Sequence, residues 1–224
     1  MCSRPNIRWL AATETDNGAE PDEKHRPPKS ESFAALYGDI ADVPMRAPDP
    51  MLPVGIQYTS GTTSRPKGVV WTHANALWGA KLCAMHEDLR GSDVHLTYLP
   101  LFHTNAQSYS VLAALWVGAT VVLQPRFSAS RFWDVSQRHG CTWTSMVPFC
   151  VRALMGQEKP KSHSYRYWGN GISAPPTDEY FGVKTIGWWG MTETITHGIV
   201  GDIHLPNRPM SIGKPATSYE IAIL

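Results

Sequence analysis

The stretch VHLTYLPLFHTNAQSYSVLAALWVGATVVLQP, residues 94–125, carries the pattern that decides the fold class. Its opening segment VHLTYLPLF is largely apolar and predicts a buried strand. The segment SYSVLAALWVG predicts an apolar helix that ends at Gly118, and ATVVLQP predicts the next strand. A strand, a helix and a strand in this order favour an α/β domain with a largely parallel sheet flanked by helices.

The same alternation continues on both sides of this stretch. Upstream, VGIQYTS and VVWTH predict the two strands of a hairpin-like unit, and ANALWGAKLCAMHEDL predicts a helix capped by Thr72 or Asn75. Downstream, SASRFWDVSQRHG predicts a helix that begins at Ser128 or Ser130 and stops at Gly140. The segments CTWTSMVP, VKTIGWWGMTET and YEIAIL each predict a further strand, the second of them running into a polar turn.

The first 53 residues have a different character. Residues 13–32 are polar and lack both apolar periodicities, which predicts an exposed loop or linker. FAALYGDI predicts a short helical turn, and the three prolines of RAPDPMLP predict an extended lead-in. We therefore expect two parts, a leading segment over residues 1–53 and a core over residues 54–224.

Composition excludes several classes of function. The chain has 224 residues with a net charge of +1, so no broad field attracts nucleic acid or an anionic membrane. The apolar runs are shorter than the roughly 20 residues that cross a bilayer. The four cysteines have no C-x-x-C spacing and no secretory leader precedes them, which predicts free thiols and a cytoplasmic location. They are Cys2, Cys83, Cys141 and Cys150.

The loop YTSGTTSRPKGVVWTH, residues 58–73, predicts a phosphate site. Backbone N–H groups and Ser/Thr hydroxyls can donate to phosphate oxygens, and Lys67 adds a positive charge. An ordinary turn is the alternative for a cluster of this composition. The P-loop of NTPases is excluded because Lys67 precedes Gly68 and a β-prone segment, which disfavours a P-loop kinase.

This loop closely resembles the signature loop of the adenylate-forming superfamily, which includes acyl-CoA synthetases, luciferases and peptide-synthetase adenylation domains. Each position from Tyr58 to Val69 matches except Ser64, which stands where glycine is usual and should stiffen the loop. The resemblance implies six residues that hold the β- and γ-phosphates of ATP. They are Thr59, Ser60, Gly61, Thr62, Thr63 and Lys67.

A second resemblance lies in WWGMTET, residues 188–194, which is similar to the Tyr-Gly-x-Thr-Glu segment of the same family. It implies that Glu193 coordinates Mg²⁺, which prefers hard oxygen ligands, and that Thr192 contacts the α-phosphate. Trp189 occupies the usual tyrosine position, where it can stack on adenine without the phenol hydroxyl. A simple helix cap is the alternative for an isolated Thr-Glu pair.

Three further segments follow the family order. LPLFH, residues 99–103, resembles the Pro-x-Phe-His segment of acyl-CoA synthetases, which implies that His103 positions the acid or gates its channel; a purely structural histidine is the alternative. WGNGISAPP is loosely similar to the turn that packs against adenine, which implies a role for Gly171, although an ordinary turn fits as well. SIGKP resembles a later segment and supports the family without adding chemistry.

The resemblance implies an acyl-CoA ligase. The acid would attack the α-phosphorus of Mg·ATP, giving acyl-AMP and pyrophosphate, and the thiol of coenzyme A would take the acyl group. FHTNAQSYS lacks the Asp that grips an amino acid, which favours this reaction over a peptide-synthetase adenylation domain. The character of the match is closest to crotonobetaine/carnitine-type ligases. The acyl group and the oligomeric state stay open.

The resemblance covers about residues 56–224, and family members extend further in both directions. We therefore expect an internal fragment of the large domain, in which residues 1–53 are a remnant of an upstream subdomain. The ribose-binding Asp and the C-terminal Lys of the family have no counterpart here, so we expect little or no adenylation by this chain alone. A non-catalytic ATP-binding relic is the alternative.

Overall fold

Contacts divide the chain into two units, residues 1–48 and 49–224. The computed structural model describes residues 11–12, 22–59 and 65–222, and each unit is described by itself. In the first unit, β1 (Ala11–Ala12) and β2 (Glu31–Ser32) form a parallel pair. Short 3₁₀ helices follow over Phe33–Leu36 and Ile40–Asp42, which confirms the helical turn predicted there. Residues 22–30 form turns, as predicted for the polar segment over residues 13–32, but Glu31 and Ser32 at its end form β2 by pairing with β1; residues 13–21 lie outside the described part.

The second unit begins with the predicted hairpin. Strands β3 (Pro53–Tyr58) and β4 (Gly68–Thr72) pair antiparallel, with Tyr58 opposite Gly68. Thr72 then caps helix α1 (His73–His86): its hydroxyl accepts from the Asn75 N–H at 3.2 Å, and the Asn75 side chain accepts from the Thr72 N–H at 3.3 Å. Both predicted cap residues thus take part, and the cap position belongs to Thr72.

Seven further strands of the described residues form one sheet. In chain order they are β5 (Val94–Thr97), β6 (Thr120–Leu123), β7 (Trp143–Ser145), β8 (Tyr167–Asn170), β9 (Lys184–Trp189), β10 (Ile199–Val200) and β11 (Lys214–Pro215). Across the sheet the order is β11-β10-β9-β8-β7-β5-β6, in which the strands from β9 to β6 are parallel. Only the β9–β10 and β10–β11 pairs are antiparallel, so β10 alone is reversed in this sheet and the largely parallel α/β sheet is confirmed.

Helices cover both faces of this sheet. After α1 they are a π-helix (Asn105–Leu112) that continues into α2 (Ala113–Trp116), then α3 (Ala129–His139), α4 (Pro148–Met155) and α5 (Pro175–Phe181). Helix α3 follows Ser128 and ends at Gly140, whose φ of 59° is the left-handed conformation that glycine adopts at little cost. Of the two start residues considered for α3, the structure therefore selects Ser128.

Adjacent residues of the central strands point to opposite faces, which builds two apolar layers. On β8, Tyr167 packs in a cluster with Cys83 and Ala84 of α1, while Trp168 packs in a cluster with Phe132 of α3 and Leu154 of α4. All residues of β7 and β8 are buried. Both faces of these strands are therefore covered, which agrees with the aromatic side chains of Tyr167 and Trp168 on opposite faces of β8.

Several details differ from the sequence-based predictions, which also did not include β8, α4 and α5. The helix predicted over residues 108–118 begins as a π-helix, where the Ser110 hydroxyl donates to the Asn105 carbonyl at 2.9 Å and competes with regular backbone pairing. The predicted strand YEIAIL was wrong over residues 219–222, because Tyr219 enters a turn with its N–H bonded to the Ala216 carbonyl. The short strands β10 and β11 were not predicted, since two residues carry no alternation.

An ion pair lies where the parallel strands of the sheet begin, which we call the amino edge. Asp93, Thr142 and Arg166 directly precede β5, β7 and β8 there. Arg166 contacts Asp93 through two hydrogen bonds, Nε to Oδ1 at 3.0 Å and Nη2 to Oδ2 at 2.7 Å. The Thr142 hydroxyl donates to the same carboxylate at 2.7 Å. Burial opposes ionisation of Asp93, yet these hydrogen bonds and the Arg90 amide lower the pKa of its carboxyl below the ordinary value. The pair fastens three strands at one edge.

Among the helices that the structure describes, none is both long and apolar enough to span a bilayer.

Candidate nucleotide site

The hairpin of β3 and β4 presents the first predicted phosphate residues. The Thr59 N–H donates to the Lys67 carbonyl at 2.9 Å, which closes the strands at the base of the loop. Lys67 is exposed, so its ammonium group faces solvent. Residues 60–64 lie outside the described residues, so the roles of Ser60, Gly61, Thr62 and Thr63 and the effect of Ser64 stay predictions.

The turn after β9 carries the second predicted motif. The Thr194 hydroxyl lies 2.9 Å from the Met191 N–H and accepts from it, which folds the chain back on itself. Ile195 is buried and has a φ of 58°, a left-handed conformation that is costly for a β-branched side chain. Such strain persists only where the surroundings fix the backbone, and it often marks functional turns.

A hydrogen bond joins these two motifs, which are far apart in sequence. The indole N–H of Trp71, on β4, donates to the Thr192 carbonyl at 3.1 Å. Trp71 is buried, so this bond is shielded from water. The Gln57 side chain of β3 also donates to Gln107 of the π-helix, which fixes the hairpin against the helical layer. The hairpin of β3 and β4 carries the predicted phosphate loop, and we call it the phosphate hairpin. These hydrogen bonds hold it against the helical layer and against the turn that contains Thr192.

A cavity of about 410 Å³ opens beside the turn that contains Thr192. It lies where the parallel strands of the sheet have their carboxyl ends, which we call the carboxyl edge. Ligands of open α/β sheets bind at this edge, where the loops after parallel strands meet. Four of the predicted site residues line this cavity. One lies in the loop after β5, one lies in the loop after β8, and two lie at the end of β9 and in the turn that follows it. They are His103, Gly171, Trp189 and Thr192.

The cavity also has walls that the sequence analysis missed. Asn105 and Tyr109 of the π-helix and Met146 after β7 line it together with the predicted residues. Ser145, the last residue of β7, donates from its hydroxyl to the Asn105 side-chain oxygen at 2.6 Å. The position of CTWTSMVP just before a helix could have indicated Met146, because residues that follow a parallel strand reach the ligand edge.

Glycines shape two sides of the cavity in opposite ways. A Cβ added to Gly190 would lie 2.1 Å from the Tyr109 hydroxyl and 2.6 Å from the Thr196 carbonyl, so the turn requires glycine there. A Cβ on Gly171 would meet nothing within 4 Å. Gly171 therefore leaves open space beside the cavity, and Gly190 allows close packing of the chain.

Glu193 is placed differently from the other predicted residues. Its side chain is exposed and does not line the cavity, although it follows Thr192 directly. A solvent-exposed carboxylate next to a hydroxyl offers the hard oxygen donors that suit Mg²⁺. Trp189 lines the cavity and is 42% exposed, so part of its indole ring is accessible to a planar base. The donor set and the open space both fit a magnesium nucleotide.

A larger cavity of about 590 Å³ contains none of the predicted site residues. Its walls come from the end of α1 and from residues 200–217. The chemistry predicted from sequence therefore points to the smaller cavity, which lies at the edge where α/β ligands bind.

Comparison with known proteins identifies the family of the chain. A model of the AMP-binding enzyme family matches residues 5–224. Crotonobetaine/carnitine–CoA ligase of Salmonella paratyphi C is 40% identical over 178 residues, which cover 75% of this chain and 34% of the relative. The Escherichia coli O7:K1 protein of the same name is 41% identical over 178 residues. The chain thus spans about a third of the length of these relatives.

Solved structures show the same relationship. O-succinylbenzoate coenzyme A synthetase from Bacillus subtilis, in complex with ATP and magnesium ion, aligns with a TM-score of 0.68 and 30% identity, covering 76% of this chain and 37% of that one. The complex of that enzyme with AMP aligns with a TM-score of 0.67 and 31% identity, covering 76% and 36%.

Proposed function

The chain belongs to the AMP-binding enzymes, in the acyl-CoA synthetase branch, and we propose that its protein is an acyl-CoA ligase. The reaction activates a carboxylic acid with Mg·ATP to an acyl-adenylate and pyrophosphate, and then transfers the acyl group to the thiol of coenzyme A. The observation that carries this proposal is the Trp71 to Thr192 hydrogen bond of 3.1 Å. It fixes the phosphate hairpin beside the cavity that His103, Gly171, Trp189 and Thr192 line.

Each end of the nucleotide is assigned to a part of this site. Lys67 and the loop of Thr59, Ser60, Gly61, Thr62 and Thr63 hold the β- and γ-phosphates through N–H, hydroxyl and ammonium donors. Thr192 donates to the α-phosphate, and Glu193 holds Mg²⁺, which neutralises phosphate charge. Trp189 and the open side of Gly171 flank the adenine.

The acid lies at the other end of the cavity in this proposal. His103 follows β5 and borders the cavity next to Asn105, so an acid placed there faces the α-phosphate held by Thr192. Holding the carboxylate and the phosphorus together supplies much of the rate in such reactions, because the protein has fixed their relative position beforehand. The names of the relatives suggest crotonobetaine and carnitine as the first acids to assay.

The nucleotide part is tested with the 224-residue chain itself. Titration with Mg·ATP should quench or shift tryptophan emission, and Lys67→Ala should weaken binding at least tenfold, the loss of one charge-assisted contact. Lys161→Ala removes another exposed lysine, outside the cavity, and should bind as the unchanged chain does. Equal affinities for the two variants would overturn the assignment of Lys67.

The acid part is tested by pyrophosphate release with crotonobetaine, carnitine, uncharged short acids and free amino acids. Release with an acid and coenzyme A by the protein in its full length supports a ligase, and release only with an amino acid supports an adenylation domain. Binding of Mg·ATP without release by any of them supports the relic. That the 224-residue chain alone does not adenylate stays a prediction of the same assay.

A further inference from the structure

A second cluster of chemically active side chains lies in the interior, on the face of the sheet that α1 covers. Cys83 and Glu87 are four residues apart on α1, so both point to the same side of the helix. His197 lies between the turn that contains Ile195 and strand β10. Its side chain faces Cys83 and Glu87. The three side chains are at most 1% exposed, and one ligand atom from each lies within 4.8 Å of the other two.

The polar atoms of this cluster lack ordinary partners. Glu87 Oε1 and His197 Nε2 are 3.2 Å apart, yet their geometry is not that of a hydrogen bond. Among the described residues, both carboxylate oxygens of Glu87 and both ring nitrogens of His197 have no hydrogen-bond partner. Buried polar groups are almost always paired, and leaving several unpaired in one place costs several kcal/mol. This cost suggests that a further species normally occupies the cluster.

We propose that Cys83, Glu87 and His197 form a structural Zn²⁺ site. Thiolate, carboxylate and imidazole are the three side-chain ligand types that zinc takes, and the soft thiolate disfavours Mg²⁺ or Ca²⁺. Zinc bonds of roughly 2.0–2.3 Å place tetrahedral ligands about 3.5 Å apart. The Glu87 to His197 separation of 3.2 Å is already close to this, and the sulfur has to approach by at most about 1.3 Å.

The charges of the cluster support the same assignment. A thiolate and a carboxylate together neutralise one dication, so the loaded site carries no net charge into the interior. Without a cation, burial raises the pKa of Cys83 and of Glu87 and lowers the pKa of His197. The metal-free cluster is therefore neutral, and zinc displaces the protons of the thiol and the carboxyl as it binds.

The fourth coordination position would be taken by a water, and an entry route for the ion is present. The Thr196 hydroxyl lies 3.1 Å from the Cys83 sulfur and can orient the thiolate or a bound water. The ring of His86 lies 5.9 Å from the ring of His197 and borders the 590 Å³ cavity, which gives the ion a path from solvent. Zinc there would tie α1 to the segment that follows Thr192 and Glu193. This inference stands apart from the proposed reaction, because it needs neither nucleotide nor acid.

Cobalt substitution tests the site in the 224-residue chain. After removal of metal by chelator, one equivalent of Co²⁺ should give a thiolate-to-cobalt charge-transfer band and intense visible bands of a four-coordinate site, and Zn²⁺ should abolish both. Cys83→Ser should lose the charge-transfer band and weaken metal binding at least tenfold. Cys141→Ser, the control at another buried free thiol, should keep the band.

Two results would overturn the proposal. The first is the absence of a charge-transfer band in the unchanged chain, and the second is a band that survives in Cys83→Ser. If circular dichroism shows that Cys83→Ser does not fold, Glu87→Gln replaces it. That variant should keep the sulfur band with at least tenfold weaker affinity, and an unchanged affinity would contradict the site.

Discussion

The two ends of the parallel strands in the central sheet differ in how their polar groups are used. The amino edge is the side where these strands begin, and the carboxyl edge is the side where they end. At the amino edge, Asp93 is 3% exposed at its side chain and receives hydrogen bonds from Arg166 and Thr142. At the carboxyl edge, the loops after the same strands enclose a cavity, with open space at Gly171 and an exposed indole at Trp189. At the amino edge these polar groups satisfy one another, and at the carboxyl edge the loops leave groups free for a ligand. Stability and binding can therefore be perturbed separately.

The largest effect is expected at the amino edge, from Arg166→Met. The substitution leaves the buried Asp93 without its cation, and breaking such a pair costs about 3 kcal/mol of unfolding free energy. Urea denaturation measures this cost. Arg138→Met breaks the exposed pair with Asp134 on α3 and should cost less than about 0.5 kcal/mol. Mg·ATP affinity of the folded Arg166 variant should be unchanged, and a tenfold loss would show that the two edges are not separate.

The dependence of stability on pH tests the same ion pair at the amino edge. Because Arg166 and Thr142 lower the pKa of Asp93 in the fold, ionised Asp93 stabilises the protein above its unfolded pKa of about 4, and this stabilisation is lost as pH falls through the folded pKa. The stability difference between the unchanged chain and Arg166→Met should therefore shrink below about pH 4. A difference that stays constant down to pH 2 would contradict the ion-pair account.

The second effect is expected at the carboxyl edge, from Gly190→Ala. The new methyl group would meet the Tyr109 hydroxyl at 2.1 Å and the Thr196 carbonyl at 2.6 Å, so the turn must shift. Overpacking of this kind costs about 2 kcal/mol. The shift also moves Thr192, and Mg·ATP affinity in a fluorescence titration should fall at least tenfold. Normal affinity in a destabilised variant would mean that the turn does not position the phosphate.

The sequence predicts which residues belong to the site at the carboxyl edge better than it predicts the contacts between them. The resemblance to the adenylate-forming family implies roles for His103, Gly171, Trp189 and Thr192 toward the bound substrates, and in the structure these four residues line one cavity. Each of these residues directly follows or ends a strand region that its own local pattern marks. The hairpin of β3 and β4 is likewise local, because a turn-rich loop separates two β-prone segments.

What the sequence does not predict depends on contacts between distant residues. The bond from Trp71 to Thr192 joins residues 121 positions apart, and the pair of Asp93 and Arg166 spans 73. Cys83, Glu87 and His197 meet only because α1 packs over the end of β9. No local periodicity reports such contacts, and short strands such as β10 and β11 form only because a neighbouring edge is present.

A smaller effect is expected from Trp71→Phe, which removes the indole donor and keeps an aromatic ring. Loss of one buried hydrogen bond costs about 1 kcal/mol, because the Thr192 carbonyl is left unpaired. The hairpin then no longer holds the turn, and Mg·ATP affinity measured by calorimetry should fall a few fold. Trp116→Phe, at a half-exposed tryptophan of α2, is the matched control and should change neither quantity.

The smallest effect on stability, and the sharpest test of the carboxyl edge, comes from Gly171→Ala. A Cβ there meets nothing within 4 Å and Gly171 has no positive φ, so urea denaturation should give an unchanged unfolding free energy. If adenine packs on this open side, the methyl group occupies its place and Mg·ATP affinity should fall several fold, while the affinity for magnesium pyrophosphate stays the same. Equal loss for both ligands would place the phosphates beside Gly171, and no loss for either would place the base elsewhere in the cavity.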